Sequence, residues 1–374
     1  MLTFVKALSV LLGLIIGAGI FGLPYIFAQS GILLGFVYLL IFGIVILLIH
    51  LFFGEVVLRT TEQSRLPGFT KKYLGKRAEI FIVISTILGL MGTLLAFIIL
   101  GGDFLEIAFY FSGISSFNFS LIFWLFLSFF IFRGMKLIGS AAILTNILFF
   151  LIIFLLIVFA LPKVNLENFI LFNSQNIFLP YGVILFSLIG LAAIPEIGAL
   201  LKTSVERKKL PKIIVASSII VVLFYLIFAV TISGVSGQNT TPDVFEGLIP
   251  FLPPAIIALG ALAAAITIAD SFLVLGLYFR NILIYDYRFP RFLAALITVT
   301  LPLFLFLIGL RDFIAVISIV GVIVGTVEGI AVILIFQKAK KLGNREPEFN
   351  LKVPSALPYF LIAVLILGAI FQIL

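Results

Sequence analysis

Three carboxylates stand inside long apolar runs of the chain: Glu196, Asp270 and Glu328. A charge near the middle of a bilayer is costly, so such a group is protonated, binds a cation or faces water, and it marks a functional site by default. Asp270 carries the most chemistry around it. Thr267, Asp270 and Ser271 lie at i, i+3 and i+4, which puts two hydroxyls and a carboxyl on one helical face. Such a set suits either a proton carried on Asp270 or a hard cation such as Na+ held among oxygens; the plainer alternative is a protonated Asp hydrogen-bonded to nearby backbone. Glu328 sits in a run of Gly321, Gly325 and Gly329. The small residues suit helix packing, and the carboxyl is as well suited to gating or proton passage as to structure. Glu196 directly follows Pro195, where a negative charge favours a helix N-terminus, and it borders the same region. His50, the single histidine, is expected to be a hydrogen-bonded packing residue rather than a proton relay.

Two further stretches concern the backbone. Gly17-Ala-Gly-Ile-Phe-Gly-Leu-Pro24 places three glycines and a proline within eight residues, and Ser187-Leu-Ile-Gly-Leu-Ala-Ala-Ile-Pro195 again sets glycine and small residues before a proline. Both break helices. In a membrane, unwound backbone is tolerated only where protein buries it or a cavity receives it. There its free N–H groups attract anions and its carbonyls attract cations.

Composition says which elements must position these groups. The 374 residues are 63% hydrophobic and 11% charged, with 43 Phe, and the mean hydropathy is +1.36. That excludes a soluble globular enzyme and a disordered chain. The absence of Cys removes disulfides and thiolate metal sites, and a lone His removes histidine clusters. A crossing helix needs about 20 apolar residues. Eleven runs answer to this: 7–28, 32–54, 79–101, 117–132, 137–161, 178–201, 211–235, 250–279, 290–310, 312–337 and 355–373. The first is interrupted by Gly and Pro and lacks a small-residue cleavage site, so it is expected to be retained as a span rather than removed as a signal peptide.

The formal charge of +8 points to membrane topology rather than nucleic acid, because the basic residues sit in short loops. Alternate connections hold 22 of the 24 Lys and Arg, and the other set holds only Lys163 and Arg311. This asymmetry predicts a cytoplasmic N-terminus and, with eleven spans, a C-terminus outside. Asp103, Glu106, Asp243 and Glu246 are then expected at the outer surface, solvated. Glu55 and Arg59 form an i,i+4 pair at the cytoplasmic edge, Trp124 lies mid-span, and most Phe are expected to face lipid. The matched breaks lie in spans one and six. A unit of five spans repeated in tandem inserts upside down, so the pattern predicts an inverted repeat of about 1–163 and 177–340, with 355–373 as an additional helix, all in one domain. Interrupted helices at matching positions of two inverted halves point to the central site of a secondary transporter.

The span-one motif, together with Phe186–Pro195 and the Ala269-Asp-Ser-Phe-Leu273 stretch, resembles the amino acid–polyamine–organocation superfamily. Within it the chain is similar to the amino acid/auxin permease and hydroxy/aromatic amino acid permease branches. The resemblance implies an all-α polytopic membrane protein with a leucine-transporter-like 5+5 inverted repeat and broken helices 1 and 6. It implies an amino acid substrate, proton or sodium coupling, a plasma-membrane location and no cofactor beyond the coupling ion. Carried over by motif, the substrate residues are Ile15, Ala18, Gly19, Ile20 and Gly22 in span one, and Phe186, Ser187, Gly190 and Leu191 in span six. The cation position maps to the carbonyls of Gly13 and Ile16 with Thr267, Asp270 and Ser271. Related transporters often place two hydroxyls in span eight, and Asp270 departs from that pattern. The reading is cation-coupled uptake of neutral or aromatic amino acids by alternating access. Its competitors are a transporter of another small solute in the same superfamily and a membrane-embedded enzyme; the latter lacks any paired acidic motif in the basic loops, and no phosphate-binding Gly-rich motif is present.

Overall fold

The computed structural model describes residues 2–134 and 139–373, and Lys136 with the first residues of the 137–161 run lies outside the described residues. Sixteen α-helices follow one another, with no strand among the described residues. They are α1 Leu2–Ile15, α2 Gly19–Ser30, α3 Ile32–Leu58, α4 Leu66–Leu74, α5 Lys76–Ala108, α6 Ser116–Arg133, α7 Gly139–Ala160 and α8 Leu179–Leu188. The second half comprises α9 Ala193–Leu200, α10 Ser204–Arg207, α11 Leu210–Ser236, α12 Phe245–Leu248, α13 Pro254–Asn281, α14 Arg291–Leu307, α15 Phe313–Leu342 and α16 Ala356–Ile373.

By length and composition seven helices among the described residues can cross a membrane, and α1 with α2 makes an eighth span bent by 56°. Helix α7 is apolar over its 22 residues, and α14 and α16 are apolar but shorter. Of the eleven expected runs, the two at α14 and α16 form shorter apolar helices. A short helix spans only where the bilayer thins or flanking residues reach the interface, which sequence windows do not register. The helices are apolar outside as well as inside. Leu33, Phe36, Leu40 and Ile44 form an exposed stripe on α3, and Ile122, Leu125, Phe126 and Phe129 do so on α6. Such faces belong against lipid.

Inside, small residues set the contacts. Gly321 of α15 lies so close to Gly182 of α8 that a Cβ there would run into the Gly182 carbonyl, and Gly325 lies against Leu185 and Ile189. Gly321 and Gly325 therefore form a packing seam with α8, while Gly329 lies against Leu365 and Ile49. The long helix α5 is central and packs on α13, α6 and α15. Phe is divided between the lipid-facing surface, as at Phe36, Phe81 and Phe126, and the interior. Phe21, Phe27, Phe52, Phe53, Phe104, Phe228, Phe245 and Phe272 are among the largest fully buried side chains, because an aromatic ring fills the wide gaps left where helices diverge.

Candidate functional site

The two breaks meet. Between α1 and α2 the chain leaves helical geometry at Ile16–Ala18, and between α8 and α9 at Ile189–Ala192. The first break was expected around Gly19, but Gly19 opens α2, and Gly22 and Pro24 lie inside that helix. Pro24 is accommodated because it occupies the second turn, where its missing N–H costs one bond at the unwound end. The single proton of the Ser187 hydroxyl is shared between the Gly19 carbonyl at 3.0 Å and Val183 O at 2.8 Å. A Cβ on Gly19 would stand 2.5 Å from Ser187 Oγ and 2.8 Å from its Cα, and one on Gly190 would stand 2.5 Å from Ile15 Cγ1. The glycines thus allow α2, α8 and the break residues to touch, whereas a Cβ on Gly17 would meet nothing within 4 Å. That open space lies at the break itself.

Side chains from two other helices hold this crossing. His50 of α3 is buried, and its Nε2 accepts the Gly190 N–H at 3.2 Å. The expectation of a hydrogen-bonded packing residue stands, but the partner is the unwound backbone of span six. Accepting at Nε2 requires the proton on Nδ1, a buried atom with no hydrogen-bond partner. Tyr225 of α11 donates its hydroxyl towards Ile15 O at 2.9 Å and Ser187 O at 3.0 Å. Neither contact was foreseen, since no local pattern around His50 or Tyr225 reports a partner far away in sequence.

Of the expected substrate residues, Ile15, Ala18, Gly19, Ile20, Gly22, Ser187, Gly190 and Leu191 are buried at or beside the crossing, and Phe186 is half-buried. No Asp, Glu, Lys or Arg occurs in 13–26 or 183–195, so the polar groups at the crossing are backbone with Tyr225, Ser187 and His50, and Tyr25 lies a turn further along α2. The cation set is distributed differently. Ile16 is buried and Gly13 exposed, while Thr267 and Ser271 are half-buried and Asp270 is buried. The Thr267 hydroxyl donates to Ala263 O at 2.9 Å in its own helix. α1 packs chiefly on α11 and α9, and α13 on α5 and α7.

Glu328 is buried and accepts the Thr86 hydroxyl of α5 at 2.8 Å. Glu196 is exposed in the first turn of α9. It lines a cavity of about 260 Å³ with Arg65, Arg207 and Arg345. Near it, Glu55 is fully buried, binds Arg59 at 2.7 Å and accepts the Leu351 N–H at 2.7 Å. Glu348 pairs with Arg345 and with Arg207 at 3.5 Å. The segment between α15 and α16 is thus tied to the end of α3, a role for Glu55 beyond its i,i+4 pair.

At the other end a cavity of about 840 Å³ is lined by Tyr25, Asp103, Glu106, Asp243, Glu246 and Asp312, with Arg311 opposing them. The expectation that these acids are solvated is corrected at Asp243, which is only 6% exposed. Its carboxylate accepts the Glu246 N–H at 2.9 Å, and burial nonetheless pushes its pKa up. Burial raises Glu246 as well, helped by the charges of Asp243 and Glu106. Phe104 and Phe245, next to Asp103 and Glu246 in sequence, pack edge to face at 5.4 Å, and Phe104 meets Phe21 at 4.9 Å. Buried aromatic rings thus stand between the acidic cavity and the crossing.

The model of the family described as transmembrane amino acid transporter protein matches residues 1–336. The chain belongs to this family. It is accordingly a multi-span membrane transporter and not an enzyme. The transporter shares its fold with the crystal structure of MhsT in complex with L-phenylalanine, at a TM-score of 0.65 and 15% identity, with 99% of this chain and 98% of that one covered. No curated protein matches the transporter in sequence.

Proposed function

We propose that this amino acid transporter is a secondary active carrier that takes up neutral amino acids with apolar or aromatic side chains, by alternating access and with cation coupling. The observation that carries the reading is the crossing of two interrupted helices at Gly19 and Ser187, with open space at Gly17. The partial positive charge at the starts of α2 and α9 suits a carboxylate, and the partial negative charge at the ends of α1 and α8 suits an ammonium group. The surroundings are Ile20, Phe21, Phe186 and Leu191, with no charged side chain in either break, which favours an uncharged substrate side chain. L-phenylalanine in the MhsT complex is a substrate of that chemical kind. Outer and inner access are assigned to the acidic and the arginine-lined cavities, in keeping with an N-terminus in the cytoplasm of a plasma-membrane protein.

Asp270 is the coupling group, taking a proton from outside and releasing it inside. It is buried in α13 beside Thr267 and Ser271, and a carboxyl within a membrane span marks a functional site by default. Na+ among Gly13, Ile16, Thr267, Asp270 and Ser271 is the alternative carrier of coupling. Glu196 and Glu328 are assigned to gating, Glu196 at the inner cavity and Glu328 where α15 meets α5. Competition for labelled L-phenylalanine uptake into vesicles tests the substrate class. Leucine, tyrosine and similar amino acids are expected to compete; competition only by sugars or inorganic ions would overturn the reading.

A further inference from the structure

We propose that Tyr225 is a positioning residue for transport: its hydroxyl stands as a fixed donor at the point where the carbonyl ends of both interrupted helices converge. The proposal rests on the alternating-access reading of those breaks.

Ile15 is the last residue of α1, and the break takes away the Gly19 N–H that a continuous helix would bring to its carbonyl. The break after α8 takes the Leu191 N–H from the Ser187 carbonyl in the same way. Both orphaned carbonyls lie within hydrogen-bond distance of one phenol oxygen, at 2.9 and 3.0 Å. Tyr225 is fully buried, so water is not on hand to replace it. The C-terminal ends of two helices each carry partial negative charge and repel when brought together. Unwound carbonyls and half-helix C-terminal ends commonly converge on a cation in carriers. Here a neutral O–H, delivered by α11, sits at that point instead.

A hydroxyl has one proton, so the two carbonyls share it. If α1 swings away, Ile15 O gives up its share and the proton goes wholly to Ser187 O. Tyr225 thus favours the arrangement in which α1 is held against α11, without fixing α1 irreversibly. The bond from Ser187 Oγ to Gly19 O holds α2 to α8 independently of it.

The chain has no cysteine, so a single introduced thiol reports on α1 without background. Ala7 is fully buried on that helix, and Ala7→Cys reacts with a maleimide only when α1 leaves its neighbours. Adding Tyr225→Phe is expected to speed labelling by about tenfold, the population shift that loss of one hydrogen bond allows. It is also expected to raise the apparent KM for L-phenylalanine uptake more than it lowers the maximal rate. An unchanged labelling rate would overturn the proposal. If Tyr225→Phe fails to fold, 3-fluorotyrosine at position 225 keeps the shape and strengthens the donor; labelling should then slow, and an unchanged rate would again overturn it. Labelling needs neither substrate nor gradient, so its failure is distinct from a failure of wild-type uptake, which would sink the transport reading instead.

Discussion

At the residue scale, the proposed transport site depends on what two glycines leave out. Gly19 admits the Ser187 side chain and backbone, so Gly19→Val should drive the two breaks apart and abolish uptake while the protein still reaches the membrane. Gly17→Ala, with nothing within 4 Å of the new methyl, should keep the fold intact and alter substrate affinity only. Uptake together with surface expression checks the pair; normal uptake by Gly19→Val would remove the crossing from the mechanism. The glycines were legible in the sequence because clustered helix breakers in an apolar run mark unwound backbone directly. Tyr225 and His50 were not, because each acts on backbone groups brought near only by the fold, and a tyrosine or histidine in a span looks the same whether it caps a carbonyl or fills a gap. Asp243 was misjudged for a related reason: a loop position suggests water, but Asp243 accepts the N–H of Glu246 at the start of the short helix α12 and is buried there.

At the scale of elements, the sequence displays the long spans through their apolar runs, and the glycine run of α15 announces close packing without naming the partner. For Gly321 and Gly325 the partner is α8, so one face of a broken helix is held rigidly while its far end is interrupted. Gly321→Leu should therefore destabilise the transporter by about 1–3 kcal/mol or more, the cost of overpacking a tight interface. Thermal denaturation in detergent measures this, and a melting temperature equal to wild type would mean that the seam is looser than its geometry implies. Spans of marginal length, such as α14 with its internal Pro302, are where a hydropathy window overstates length. Such a window counts apolar residues and is blind to where the helix stops. The tie between Glu348, Arg345 and Arg207 was also invisible, since ion pairs between loops follow from tertiary placement.

At the scale of the molecule, the arrangement is a packed bundle with an acidic cavity at one end, an arginine-lined cavity at the other, and two interrupted helices meeting between them. Buried rings at Phe21, Phe104 and Phe245 close the first route, and the Glu55–Arg59 and Glu348 contacts tie down the second. Opening each in turn is what alternating access requires, and the coupling ion must link the two motions. The central claim is that a cation gradient drives an amino acid through this bundle. Its most direct test is accumulation of labelled L-phenylalanine in proteoliposomes carrying the purified wild-type protein or Asp270→Asn, under an inward proton gradient in sodium-free buffer. Wild type should concentrate the amino acid above its external level, and Asp270→Asn should not. Accumulation that requires an inward sodium gradient would reassign the ion, and equal accumulation by wild type and Asp270→Asn, or none under either gradient, would contradict the coupling mechanism.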